Sequence, residues 1–323
     1  MGQPADTFSA YDAIGNREDL ENVIYDISPT ETPFMAMIGR TNAKAKLHEW
    51  QMDGLAAAST TNRVIEGDDA TTDATSPTQR LRNECQISDK VPRVSGTQEA
   101  VDKAGRKSEM AYQLMKKAKE LKRDMESMLC QDGQKIPGDD STARSTAGFE
   151  TWIYDGQSSR GATGTDTAGL SATVNQPNDT AGPAPGTQRA FSEDLLKTVL
   201  SAVWSAGGDP SKIILGPINK ARASTFAGNA TRMDRSEDKK LTAAVDVYIS
   251  DFGEHMFVPS RFSRERSGLV VDPSLWAVGY LRSFRQWDLA KTGDTDRKQL
   301  LVEYCLVAKN PTGSGIIADL TTT

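Results

Sequence analysis

The chain has 323 residues, with 38 Lys and Arg against 44 Asp and Glu, a formal net charge of -6. That balance excludes a surface built mainly to grip nucleic-acid phosphate, while leaving room for a container of nucleic acid. Its length suits two modest domains, and 37 % hydrophobic residues suffice for real cores.

Three cysteines, Cys85, Cys130 and Cys305, are odd in number and far apart. They predict buried thiols in a reducing compartment rather than a disulfide framework or a metal knuckle. The start, MGQPADTFSAYDAIG, lacks the basic and apolar regions of a secretory signal. Asp6 stands where a myristoylation signal needs Ser or Thr. No run approaches the ~20 apolar residues that span a bilayer, so a soluble protein without membrane association is expected.

Taken in order, residues 1–45 begin as a polar arm. Leu20, Val23, Ile24 and Ile27 then recur at helical spacing until Ser28 and Pro29 end the segment. A short apolar piece, TETPFMAMIGR, follows and stops at Gly39. It reads either as an arm that docks on other surfaces or as a capping helix of its own domain.

Residues 44–94 read as two extended limbs around a soft tip. In the second limb Leu81, Cys85, Ile87 and Val91 face one way and Arg82, Glu84, Gln86, Ser88 and Lys90 the other, the period of a half-buried strand. Val64 and Ile65 are the only bulky aliphatic pair in the long polar stretch between the limbs, which predicts a hairpin standing away from the body.

Ser95 and Gln98 sit at capping-box spacing ahead of a short turn. The longest element follows, with Ser108 as its N-cap and a run to Gln131, roughly 35 Å at 1.5 Å per residue. Ala111, Leu114, Ala118, Leu121, Met125 and Met128 form one stripe, widened by Met110, Met115 and Leu129. The opposite face carries Lys116, Lys117, Lys119, Lys122 and Arg123, with Lys116/Glu120 and Lys122/Glu126 at pairing distance. The stripe suits packing on a sheet, since a coiled coil would need more heptads.

Residues 155–189 have no aromatics and few large aliphatics, the composition of a flexible surface insertion, with Trp152 and Tyr154 anchoring its stem. A helix capped by Ser192 follows, its apolar face made of Leu195, Leu196, Val199, Leu200, Val203 and Trp204. The strand KIILG and a helix to Gly228 complete an α/β unit. The rest reads as strands: VDVYIS, HMFVP, GLVV, WAVGYLRSFRQW and KQLLVEYCLVAKN. The last is apolar on both faces and therefore central. The plan is α+β.

No chemistry assembles along the chain. His48 and His255 lack metal-ligand spacing, and there is no nucleophile elbow or phosphate-binding loop. The GDD triplets at 67–69 and 138–140 read as solvated turns. The expectation is a protein that is not an enzyme and has no cofactor or metal.

Three stretches carry a resemblance: YDAIGNREDLENVIYDISPTETPFMAMIGR, VSGTQEAVDKAGRKSEMAYQLMKKAKELKRDME and GGDPSKIILGP. Together they resemble the major capsid proteins of tailed bacteriophages of the SU-ten-like family, built on the Hong Kong 97 type capsid fold. The resemblance implies an N-terminal arm (1–45), an extended E-loop hairpin (46–94) and a P-domain with a long spine helix and its following insertion (95–190). It further implies an A-domain (191–280) and returning P-domain strands (281–323). It also implies self-assembly into pentamers and hexamers of an icosahedral head around double-stranded DNA, held by weak non-specific contact. A separate scaffolding protein, a portal and a decoration protein would be partners, and assembly would occur in the host bacterial cytoplasm. On this reading Phe34, Met35, Ile38, Trp50, Val64 and Ile65, with Lys116, Lys119 and Arg123 of the spine, are the expected contacts between subunits. A tail-tube protein, an encapsulin-like container and an α/β enzyme are the alternatives.

Overall fold

A computed structural model describes residues 31–69, 72, 75–103, 105–166, 176–179, 181–226 and 247–322. The helix expected between Leu20 and Ile27 lies outside the described residues. The described chain opens with α1 (Pro33–Met37) and β1 (Gly39–Asn42), then the strands β2 (Leu47–Met52), β3 (Gln79–Glu84), β4 (Gln86–Lys90) and β5 (Arg93–Ser95). The short α2 (Gly96–Ala100) leads to the long α3 (Glu109–Leu129). Next come α4 (Phe149–Trp152), β6 (Ser158–Ser159), α5 (Glu193–Ser205), β7 (Lys212–Leu215) and α6 (Pro217–Ala223). The chain finishes with β8 (Val247–Ser250), β9 (Gly253–Pro259), β10 (Gly268–Val271), β11 (Trp276–Asp288), β12 (Thr295–Ala308) and β13 (Gly315–Ile317).

These strands make three sheets. One runs β1-β11-β12-β4 with β5 joined to the far part of β12, a second runs β6-β13-β10-β7-β9-β8, and β2 pairs β3 alone. The antiparallel ladder of β11 and β12 extends from Trp276 opposite Ala308 to Asp288 opposite Lys298. Every residue of β12 from Leu300 to Ala308 is buried, as its two-sided apolar pattern demands. The sheets do not follow the expected boundaries. The 280/281 division falls inside β11, and β13, near the C-terminus, belongs to the six-stranded sheet.

Ser108 caps α3 by accepting the Ala111 N–H at 3.2 Å, and Leu121, Met125 and Leu129 enter the same core as Val302, Tyr304 and Leu306 of β12. The stripe is not uniformly buried. Met110 in the first turn is buried, Ala111 and Met115 are exposed, and burial resumes at Leu121.

Two pairings expected on the charged face give way to others. Lys117 rather than Lys116 meets Glu120, at 2.7 Å. Glu126 is fully buried and pairs with no lysine among the described residues. Its two oxygens accept the N–H groups of Phe34 (2.7 Å) and Met35 (2.9 Å), so α3 caps the N-terminus of α1 through a side chain. Burial pushes the Glu126 carboxyl above the usual range, while the two N–H groups oppose that shift.

The second limb of the hairpin also differs from the expected single strand. It breaks at Cys85, where the chain leaves β2 and passes to β12, so Ile87 and Val91 end up exposed while Asn83 and Glu84 are buried. The register changes partner, and the alternation changes face with it. On α5, Trp204 lies outside the apolar face, 58 % exposed and packed on the Phe252 ring at 5.3 Å. Ser192 precedes α5 without a side-chain cap bond.

The described parts of the 155–189 insertion are bound into the body rather than lying loose on its surface. β6 pairs in parallel with β13, and Arg160 and Asp166 form a buried ion pair. Asp319, at φ 59°, accepts the Gly161 N–H at 3.1 Å and a bond from Arg266 at 3.3 Å. Composition does not reveal this because the segment is held by backbone pairing and ion pairs, not by apolar side chains.

Glu126→Gln is expected to replace one acceptor with an NH2 facing an amide donor, costing about 1–3 kcal/mol at α1. Amide exchange should show Phe34 and Met35 losing protection while the centre of α3 keeps it. Equal protection in both proteins would mean that Glu126 does not hold the arm.

Candidate assembly surfaces

The β2-β3 hairpin is fixed at one end and free at the other. At its base, the Trp50 indole N–H donates to the Ala308 carbonyl at 2.7 Å, and its ring lies 5.5 Å from that of Trp152. Asn83, fully buried, donates to the Leu306 carbonyl at 2.7 Å and accepts the Ala147 N–H at 2.9 Å. These bonds satisfy polar groups that would otherwise be costly to bury, and they tie the hairpin to the end of β12.

Beyond Met52 the character changes. Every residue from Asp53 to Asp69 is exposed, and the apolar side chains of Leu55, Val64 and Ile65 are 101 %, 86 % and 76 % exposed. Exposed apolar groups on a projecting hairpin are a liability for a solitary chain.

The residues expected at subunit contacts fall into three groups. Val64, Ile65, Lys116 and Lys119 are exposed. Met35, Trp50 and Arg123 are half-buried; Trp50 is bonded within its own chain, and the Arg123 guanidinium lies over the Phe262 ring at 5.6 Å. Phe34 and Ile38 are buried in the chain's own core, with the Phe34 ring edge-on to Phe149. Their surfaces are covered by their own chain. Asn83 gives no signal in the sequence, because a polar side chain in a polar limb carries no mark of burial.

Two groups that suggest chemistry, His255 and Asp139, have structural partners. His255, buried, bridges the Ser250 hydroxyl and the Pro210 carbonyl, and burial lowers its pKa. Asp139 accepts bonds from Ser141 and Thr142 in a tight turn, chiefly the Ser141 hydroxyl, which together lower its pKa to about 2. All three cysteines are free and buried. Among the described residues no group of His, Cys, Asp or Glu could hold a metal ion, and no helix is long and apolar enough to cross a membrane.

A spine helix on a long-stranded sheet, a second sheet and a projecting hairpin define the Hong Kong 97 type capsid fold, and solved capsids share it. The cyanophage A-1(L) capsid matches 97 % of this chain and 99 % of its own, with a TM-score of 0.61 and 12 % identity. The phage G structure of major capsid and decoration proteins matches 99 % and 100 %, with a TM-score of 0.55 and 10 % identity. The family model described as SU10 major capsid protein matches residues 5–321, and the chain belongs to that family. The major capsid protein of Escherichia phage Phieco32 is 26 % identical over 344 residues, covering 96 % of each chain. This chain is thus a phage major capsid protein, a structural component of a virion and not an enzyme. In the layout that the resemblance implies, the β2-β3 hairpin takes the place of the E-loop and α3 that of the spine.

Trp50→Phe keeps an aromatic ring against Trp152 but leaves the Ala308 carbonyl without its donor. A loss of about 1–3 kcal/mol is expected, read by denaturant unfolding of the unassembled chain. Wild-type stability would show that the indole bond does not pin the hairpin.

Proposed function

We propose that copies of this chain join as pentamers and hexamers of an icosahedral head that encloses double-stranded DNA. The observation that carries this reading is the E-loop itself, a base bonded into the body and a tip whose apolar side chains are left uncovered by the described residues of their own chain. A fixed base aims the tip, and a neighbouring chain offers it cover. Lys116 and Lys119, exposed on the spine, are further contact residues at a subunit boundary. The net charge of -6 suits a wall with weak, non-specific contact to its DNA rather than a tight binder.

A separate scaffolding protein, a portal and a decoration protein complete the partners on this reading. The phage G structure combines decoration proteins with its major capsid proteins, which supports the last of them. Assembly in the bacterial cytoplasm agrees with three free, buried thiols.

Removing residues 54–78 tests the role of the tip. The shortened chain is expected to stay folded, because the base bonds remain, and to fail to close shells in negative-stain microscopy. Normal closed particles would refute the role, and tubes from the intact chain would favour a tail protein.

A further inference from the structure

The three thiols are not equivalent. Cys130 lies in the core beneath the spine, where burial and the nearby Glu126 and Glu150 carboxyls push its pKa up. Cys85 and Cys305 share a separate small cluster with Ala43, Ala277 and Val307, and both are 0 % exposed. The β4-β12 ladder sets Gln86 opposite Tyr304, so one step further along the same antiparallel register Cys85 faces Cys305. The Cys85 N–H is given to the Lys46 carbonyl, at 2.7 Å, and not to β12. Opposed residues that exchange no ladder bonds stand about 4.5 Å apart at Cα with side chains on one face, within the ~4.4–6.8 Å that a disulfide spans.

The surroundings give the pair room and reactivity. Gly279 is the partner of Cys305 on β11, and a Cβ there would stand 3.0 Å from the Cys305 sulfur, so glycine keeps that flank of the thiol open. A hydrogen bond from the Cys305 thiol lowers the Cys85 pKa against the burial that opposes it, with Arg144 assisting and Glu303 and Glu84 opposing. The same bond, together with burial, raises the pKa of Cys305. Cys85 is therefore the attacking sulfur and Cys305 the resolving one. The pair also sits at a joint. Cys85 is the single residue between β3 and β4, and its thiol donates to the Ala45 carbonyl at 3.5 Å, just ahead of β2, so both limbs of the hairpin leave the body here.

We infer that Cys85 and Cys305 form an oxidation site, a dithiol that a peroxide converts to a disulfide, stapling the base of the β2-β3 hairpin to β12. The Cys85 thiolate attacks one peroxide oxygen, the O–O bond breaks, and Cys85 becomes a sulfenic acid as hydroxide leaves. The Cys305 sulfur then attacks the Cys85 sulfur, the S–O bond breaks, and water departs with the Cys305 proton. Two electrons pass from the thiols to the peroxide. The proton that Cys85 lost on ionising meets the hydroxide, so the peroxide ends as two waters. The new bond closes a loop of most of the chain, the case in which a crosslink restricts the unfolded state most. It lies within one chain, so it stands apart from the number of copies in the shell.

The full-length protein is exposed to hydrogen peroxide, unfolded in a thiol-blocking reagent and digested without reductant. Two of the three thiols are expected to disappear, and a peptide pair joined through Cys85 and Cys305 to appear, lighter than the reduced pair by two hydrogens. The heat-unfolding midpoint should rise by roughly 5 °C, and dithiothreitol should reverse the change. Cys130→Ala keeps these results, whereas Cys85→Ser and Cys305→Ser each abolish the joined peptide. Sulfoxide at the exposed Met115 reports that the peroxide has acted. Three intact thiols beside an oxidised Met115 overturn the inference. So does a joined peptide that contains Cys130 or spans two chains, or Cys85 and Cys305 carried separately to sulfinic acid. A Cys85–Cys305 bond that leaves the unfolding midpoint unchanged refutes the staple.

Discussion

The contact on which the rest of the structure depends is the apolar seam between the spine helix and β12. Leu121, Met125 and Leu129 are all at 0–1 % exposure, and Val302, Tyr304 and Leu306 close the seam from the sheet. At roughly 1.5–3 kcal/mol for each fully buried large side chain, this seam is a dominant local source of stability. It also sets the geometry of everything attached to it. β12 receives the hairpin base through the Ala308 and Leu306 carbonyls, and the spine receives α1 through Glu126.

Both attachments are polar and directional, although they sit on an apolar seam. Burial of apolar surface is non-directional and would tolerate some sliding of arm or hairpin. A bond to a specific buried carbonyl or carboxylate does not, because displacement leaves a polar group without a partner in a medium that penalises it. Trp50, Asn83 and Glu126 therefore fix direction while Leu121 and its neighbours fix stability. Subunits that must meet many identical neighbours at set angles need that separation of roles.

Periodicity makes the spine legible in the sequence, since a 3-4 stripe and a Ser cap have one common physical meaning. It also identifies β12, whose two apolar faces admit only a central position. It fails where a residue's neighbours come from far along the chain. Glu126 resembles one of several surface charges because its partners, the amides of Phe34 and Met35, are 92 and 91 positions away. Phe34 and Ile38 resemble free anchors because a short apolar arm gives no sign of whether its own core or a neighbour's will cover it. The packed insertion is hidden for a related reason: Gly161 and Asp319 are joined by a hydrogen bond across 158 positions, and no local composition records it. Val64 and Ile65 are legible because the opposite holds for them, with no covering partner among the described residues.

The tip's own energetics explain why it is built as a turn rather than as a floppy loop. Covering Val64 and Ile65 gains roughly 3–6 kcal/mol, whereas ordering backbone costs about 1–2 kcal/mol for each residue fixed. Immobilising a long stretch would cancel the gain, so only a short segment that is already bent can bind usefully. The Ile65–Asp68 bond and the positive φ of Gly67 provide such a segment. What remains per contact is a small net free energy, which makes one tip a weak link. In the proposed shell that link would be repeated in every subunit, holding a completed particle firmly while letting a single misplaced subunit leave.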